Sequence, residues 1–124
     1  MEVIYCVDNN LGISFNNRRV SSDKEIINDI YKDYDCINIF KRSEDLFREK
    51  KYNVIESIDN DVYFLEDNYN IFSSKLILYK FNRDYPSDVK LNYDLSKYKM
   101  ISSYNFKGNS HDKITKEVYI CDKN

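Results

Sequence analysis

Residues that build metal and catalytic centres are scarce in this sequence. The chain has one histidine, His111, and three cysteines among 124 residues. One histidine excludes a multi-histidine metal centre, and Cys6, Cys36 and Cys121 are too widely spaced for a zinc knuckle or a disulfide framework. We therefore expect no metal site, no cofactor and no catalytic residue, with the three thiols packed in the core.

Glycine and proline are scarce too, at two residues and one residue. No Pro/Gly/Ser-rich linker or block of charge divides the chain, which predicts a single domain over residues 1–124. Only Gly12 follows the first apolar run, so the sequence has neither a dinucleotide-binding fingerprint nor a phosphate-binding loop.

Long apolar runs and an excess of one charge are also missing. No run approaches the ~18 residues that a membrane span needs, and the first residues lack the regions of a signal peptide. Nineteen basic and 21 acidic residues give a net charge of -2, so no global positive field attracts nucleic acid. We expect a cytoplasmic protein, in the host cytoplasm if a phage encodes it, with neither membrane nor bulk nucleic acid as a partner.

What the chain does have is aromatic and apolar residues, with 12 Tyr and 7 Phe and a hydrophobic fraction of 42%. This content predicts a globular protein. Capping spacing at Ser22 and apolar residues at helical intervals predict a helix over 23–33, and Ser43 is the expected N-cap of a second helix. Apolar runs predict strands at 3–7, 36–40, 54–58, 62–65 and 75–81, with weaker candidates at 89–91 and 98–101.

The order of these elements predicts an α+β fold. We expect one mixed or antiparallel sheet of five to six strands with two to three helices. For the segment after Gly108 and Ser110, the sequence is compatible with either a helix or a strand. Ser110 is a candidate cap for a last helix, whereas the alternation of Ile114, Val118 and Ile120 favours a strand.

Three polar clusters are candidates for a ligand site. The first, residues 8–19, lies between a strand and a helix, where Arg18 and Arg19 can hold phosphate oxygens. The second, residues 79–86, places Phe81, Asn82 and Arg83 together in the pattern of a surface that stacks on a base. Each is also compatible with a solvated loop or with a strand whose rings pack inwards.

The third cluster, residues 105–113, contains Lys107 and His111. His111 is a candidate general acid or base, or else part of a surface helix cap. Together the clusters predict that the ligand-binding residues are Arg18, Arg19, Phe81, Asn82, Arg83, Lys107 and His111.

Segments of the three clusters, 16–23, 78–88 and 106–117, resemble those of small clostridial proteins often labelled ribonuclease Z. That enzyme uses a histidine-rich two-zinc site, which one histidine cannot build. In size and residue bias the chain is similar to phage Thoeris anti-defence proteins, which sequester cyclic ADP-ribose-type signals. Residues 7–13 resemble the opening of dihydrofolate reductases, but the pattern expected downstream is missing and the chain is short for one, so we set that similarity aside.

We therefore expect a phage or prophage anti-defence sponge that binds a small nucleotide ligand, such as a cyclic ADP-ribose isomer, without turning it over. We also expect a homo-oligomer, most simply a homodimer, because pairing gives a small chain more surface to enclose a ligand. Two alternatives stay open. One is a small phosphodiesterase or nuclease-like enzyme that uses His111, and the other is a protein that inhibits a bacterial defence enzyme by direct contact.

Overall fold

A computed structural model of the chain describes residues 1–59, 61–69 and 71–122. These residues form ten strands, one α-helix and two short 3-10 helices. The strands are β1 (Glu2–Val7), β2 (Gly12–Phe15), β3 (Arg18–Arg19), β4 (Ile37–Ile39), β5 (Tyr52–Val54), β6 (Val62–Phe64), β7 (Lys75–Lys80), β8 (Val89–Lys90), β9 (Tyr98–Phe106) and β10 (Ile114–Cys121). The helix α1 is Lys24–Asp33, and the 3-10 helices are Lys41–Leu46 and Leu95–Lys97.

Seven strands form one sheet in the order β5-β4-β6-β1-β7-β10-β9. The first five strands are parallel, and β10 and β9 continue the sheet in antiparallel pairing. A second sheet has the order β3-β2-β8. The predicted α+β fold with one sheet of five to six strands is therefore wrong, because the chain is mostly β and has ten strands in two sheets.

Strand β1 lies at the centre of the large sheet and is buried on both faces. Ile4 packs on one face with Ile77 and with Ile26 and Ile30 of α1. Tyr5 packs on the opposite face, in a separate apolar cluster. Burial on both sides explains why this strand is a continuous apolar run, as is typical of parallel sheets.

Helix α1 begins and ends where its sequence indicates. Asp23 is the N-cap, and its side chain accepts a hydrogen bond of 2.9 Å from the backbone N–H of Glu25. The predicted helix over 23–33 is confirmed, with Asp23 and not Ser22 as the capping residue. Ile26, Ile27 and Ile30 form the face that α1 buries against the sheet.

Other segments also differ from prediction, among them the strand predicted over 54–58, which is β5 at Tyr52–Val54. Ser43 does not cap a helix; it lies within the 3-10 helix Lys41–Leu46, and its hydroxyl donates to Glu66 at 2.6 Å. The segment after Ser110 is strand β10, so the alternation of its apolar residues was the correct signal. Within the part of the chain that the structure describes, no helix is long and apolar enough to cross a membrane.

Candidate functional site

The cleft of interest lies at the carboxyl ends of β1 and β6. The chain leaves β1 towards β4 on one side, whereas it leaves β6 towards β7 on the other side of β1. In open α/β sheets, ligands bind where neighbouring strands connect in opposite directions in this way. The topology therefore points to the edge of the sheet near Cys6, Asp8 and Glu66.

The inner part of this cleft, which we call the inner cavity, is small. Its apolar lining includes Cys6, Ile26 and Phe64, and its polar lining includes Arg19 and Glu66. The volume is about 20 Å³, which is room for about one water molecule. As it stands, the inner cavity is too small to enclose an organic ligand.

The outer part, which we call the outer groove, runs between the start of α1 and the 3-10 helix Lys41–Leu46. Its volume is about 440 Å³, within the usual range of ligand sites, roughly 300–1,000 Å³. Ser22, Asp23, Ile27 and Leu46 line both the inner cavity and the outer groove. The two parts are therefore neighbouring regions of one cleft.

Arg19 is placed in the cleft by the β2–β3 hairpin. The two turn residues, Asn16 and Asn17, both have positive φ, at 50° and 62°. A two-residue turn of this kind matches the twist of the strands it joins, and asparagine tolerates it better than most residues. The turn pairs Phe15 with Arg18, so Arg19 pairs with Ser14, whose strand runs back into the fold.

The guanidinium of Arg19 is held by two carboxylates. Nε and Nη2 donate to Glu66, the latter at 3.0 Å, and Nη1 and Nη2 donate to Asp45 at 2.7 and 2.9 Å. Glu66 is only 6% exposed and also accepts a hydrogen bond from Ser43. Burial alone would lower the pKa of Arg19, but the hydrogen bonds to Glu66 and Asp45 raise it. The buried carboxylate of Glu66 thus has both an ion-pair partner, Arg19, and a hydroxyl donor, Ser43, and such pairing offsets the cost of burying its charge.

Cys6 is the thiol nearest to this ion pair. Burial raises its pKa far above the usual value, and the negative charge of Glu66 raises it further. Because the thiolate is the reactive form, Cys6 is unsuited to act as a nucleophile.

Asp23 joins the cleft to the histidine. Its carboxylate accepts hydrogen bonds from the backbone N–H groups of Asn109 and Ser110 at 2.8 and 2.9 Å, and from Nδ1 of His111 at 2.8 Å. Burial alone would raise the pKa of Asp23, but these hydrogen bonds and the one from Glu25 lower it to about 2. Asp23 is therefore a carboxylate at neutral pH, which assigns a proton to Nδ1 of His111.

The other ring nitrogen of His111, Nε2, faces two hydroxyl groups. It lies 2.8 Å from the hydroxyl of Tyr85 and 3.2 Å from that of Ser21. The ring stacks on Phe81 with 4.7 Å between centroids and is only 4% exposed. His111 thus ties the loop after β7 and the loop before β10 to the start of α1, and this arrangement favours a structural role.

The remaining predicted ligand residues lie away from the cleft. Arg18, Arg83 and Lys107 are exposed and line neither the inner cavity nor the outer groove. Asn82 donates its side-chain amide to the carbonyl of Lys113 and to the hydroxyl of Thr115, at 3.0 and 2.9 Å. The structure thus places Arg19 in the cleft and Phe81 and His111 behind it.

Sequence reasoning missed the acidic and apolar residues of the cleft, namely Asp23, Ile27, Asp45, Leu46 and Glu66. One signal was present, since Glu66 follows directly after a buried apolar run. In a parallel sheet, such a position lies beside the end of the neighbouring strand. Among the described residues, no group of three or more His, Cys, Asp or Glu side chains is placed to hold a metal ion.

Comparison with known proteins identifies the fold. No family model matches the chain, and no curated protein matches it. Among solved structures, a dihydrofolate reductase from Enterococcus faecalis, complexed with NADP(H) and RAB-propyl, matches with a TM-score of 0.67. The match covers 98% of this chain and 96% of that chain at 9% sequence identity. The chain therefore has the dihydrofolate reductase fold.

This finding corrects the functional expectation. A sponge that sequesters cyclic ADP-ribose-type signals in phage counter-defence is not supported, because the structure matched is that of a dihydrofolate reductase. The similarity of residues 7–13 to dihydrofolate reductases, which we set aside, lies on the turn that joins β1 to β2.

Proposed function

We propose that this protein binds a small molecule of the dihydrofolate class, with a flat ring and an anionic tail, in the outer groove. The observation that carries the proposal is the junction of the outer groove with the inner cavity at the carboxyl edge of the sheet. The matched structure is a dihydrofolate reductase, which suggests a ligand of that class for a groove of this size.

Apolar side chains at the junction suit the flat ring. Ile27 comes from α1 and Leu46 comes from the 3-10 helix, so both elements that border the groove supply one apolar contact. Ligand sites combine such apolar contacts with a few fixed polar groups. Ser22 and Asp23, which line the same junction, are polar groups of this kind.

Charge along the groove suits an anionic tail. The groove is lined by the cations Lys24, Arg48 and Lys50, and among the described residues none of the three takes part in an ion pair. The acidic lining residues are Asp23, Asp45 and Glu49; Asp45 is paired with Arg19, and Asp23 is buried and hydrogen-bonded within the chain. Lys24, Arg48 and Lys50 thus outnumber the exposed carboxylate of Glu49, and this positive excess favours a carboxylate or phosphate group.

Isothermal titration calorimetry with dihydrofolate tests this proposal, and a parallel titration with AMP tests the small nucleotide ligand expected from the sequence. Dihydrofolate and AMP both have a flat ring and an anionic group. Comparing their affinities shows which of the two classes of ligand the groove prefers. We expect saturable binding of dihydrofolate and much weaker binding of AMP. No heat with dihydrofolate would overturn the proposal, and tighter binding of AMP would assign the groove to a nucleotide.

A matched pair of variants locates the site. Leu46 and Leu95 are both half-buried leucines within 3-10 helices, and only Leu46 lines the groove. We expect Leu46→Ala to weaken dihydrofolate binding by about tenfold, the loss of roughly 1.4 kcal/mol of apolar contact, and Leu95→Ala to leave it unchanged. Equal affinities would place the ligand elsewhere.

The predicted homo-oligomer stays a prediction, which light scattering after size-exclusion chromatography checks.

A further inference from the structure

The dihydrofolate reductase fold raises the question whether this chain has a place for NADP(H). In open α/β sheets, a dinucleotide places its pyrophosphate at the carboxyl edge, where glycines let the backbone approach and free N–H groups face the anion. The turns that follow β1, β4 and β6 at this edge begin Asp8-Asn9-Asn10, Phe40-Lys41-Arg42 and Leu65-Glu66-Asp67. None of them contains glycine.

Gly12, which follows the first of these turns, faces protein and not open space. A Cβ added there would lie 2.5 Å from the hydroxyl oxygen of Ser87 and 2.9 Å from Oδ1 of Asp8. The same Oδ1 accepts the N–H groups of Asn10 and Gly12 at 2.8 and 2.7 Å. The donors that this turn would offer to a phosphate are thus already bonded to a carboxylate of the chain.

In the turn after β6, the Glu66 carboxylate occupies hydrogen-bond donors as the Asp8 carboxylate does in the turn after β1. Its two oxygens receive Nε and Nη2 of Arg19, the side-by-side pair of donors with which arginine also holds phosphate. The hydroxyl of Ser43 donates to the same carboxylate. A phosphate at this position would meet the negative charge of Glu66 and would find its donors occupied, so the residues present do not fit a dinucleotide.

We propose that the Glu66 carboxylate is a built-in anion that closes the phosphate position of this cleft, so that the chain does not bind NADP(H), and that its removal opens an anion site formed by Arg19 and Ser43. The ligand class of the opened site is phosphate or pyrophosphate.

The opened site would be preorganised. Asp45 holds Arg19 through Nη1 and Nη2, and the carbonyl of Arg42 accepts from Nη2 at 3.2 Å. These contacts do not involve Glu66, so the guanidinium keeps its orientation when that carboxylate is removed. Binding to a group that is already oriented avoids much of the entropy cost of ordering it.

Titration of Glu66→Ala with inorganic pyrophosphate tests the inference. We expect it to bind pyrophosphate at least tenfold more tightly than the wild-type chain. Asp67→Ala is the matched control, because it removes one negative charge from the same turn and releases Arg42 from its ion pair. We expect Asp67→Ala to behave like the wild type, since its charge lies outside the cluster formed by Arg19, Glu66 and Ser43.

Glu66→Gln is the second test, because it removes the charge and keeps the volume of the side chain. We expect a smaller gain in pyrophosphate affinity in the same direction. Binding of NADPH by the wild type, or no gain in pyrophosphate affinity in both Glu66 variants, would overturn the inference. The readout is the difference in pyrophosphate affinity between the Glu66 variants and the wild type, so it does not depend on which ligand the outer groove binds.

Discussion

The two parts of the cleft differ in whether their charged side chains are paired within the protein. In the inner cavity the charged groups are paired within the protein, with Arg19 between Glu66 and Asp45. In the outer groove Lys24 and Arg48 are exposed and, among the described residues, join no ion pair. Buried charges contribute to stability only while they are paired, whereas exposed charges remain available to a ligand. The comparison separates charged residues that hold the fold from charged residues that are free to contact the ligand we propose.

The largest expected effect comes from breaking the inner pairing. Arg19→Met leaves the buried carboxylate of Glu66 without its cation, and we expect it to lower the free energy of unfolding by about 3–5 kcal/mol. Unfolding in urea, followed by circular dichroism, measures this change.

Arg18 is the matched control for that variant. It precedes Arg19 in the same strand, but its side chain is exposed and joins none of the ion pairs found among the described residues. Arg18→Met should change stability by less than about 0.5 kcal/mol. Similar losses in both variants would contradict the assignment of the inner pair to stability.

The second-largest expected effect is a loss of folding stability at acidic pH. It is caused by Asp23, which lies where the two parts of the cleft meet. Folding lowers its pKa from 3.8 to about 2. A carboxylate with a lowered pKa stabilises the folded state above the unfolded pKa, and this stabilisation is lost as the pH falls from 3.8 towards about 2. The loss is of the order of 2 kcal/mol.

Asp23→Asn isolates this contribution, since asparagine keeps the shape and capping ability of the side chain but does not titrate. Urea midpoints of both proteins across the acid range provide the measurement. We expect the wild type to lose more stability than the variant over that range. Parallel curves would show that another carboxylate is responsible.

The smallest effect concerns the outer groove. Lys24→Ala and Arg48→Ala should each weaken dihydrofolate binding by about two- to fivefold, because exposed ion pairs contribute roughly 0.2–1 kcal/mol. Added salt should reduce the difference by screening. Lys90→Ala, an exposed lysine on β8 outside the groove, is the control. An equal effect in all three variants would mean that only overall charge matters.

Much of the local structure was predictable because it depends on neighbours in the sequence. The runs at 3–7, 62–65 and 75–81 are apolar and bounded by polar turns, and each matches a strand of the structure to within one residue. The strands β2 and β3 were missed because they have four and two residues, too few for periodicity to show. The Asn16-Asn17 turn was the available signal for that hairpin.

The candidate site was harder to predict because its contacts join distant parts of the chain. Arg19 was expected to hold a phosphate, but it holds Glu66, 47 residues away in the sequence. His111 was a candidate general base, and its partner Asp23 lies 88 residues away. Such pairs depend on which strands become neighbours, and that order is set by tertiary packing, not by local propensity.

Methyl NMR spectroscopy of the wild-type protein tests the central claim most directly, since Ile27 and Leu46 report on the junction of the outer groove and the inner cavity. Addition of dihydrofolate should shift the methyl signals of both residues, and addition of NADPH should shift neither. The account would be contradicted if NADPH shifted these signals in the wild type, or if dihydrofolate left them in place.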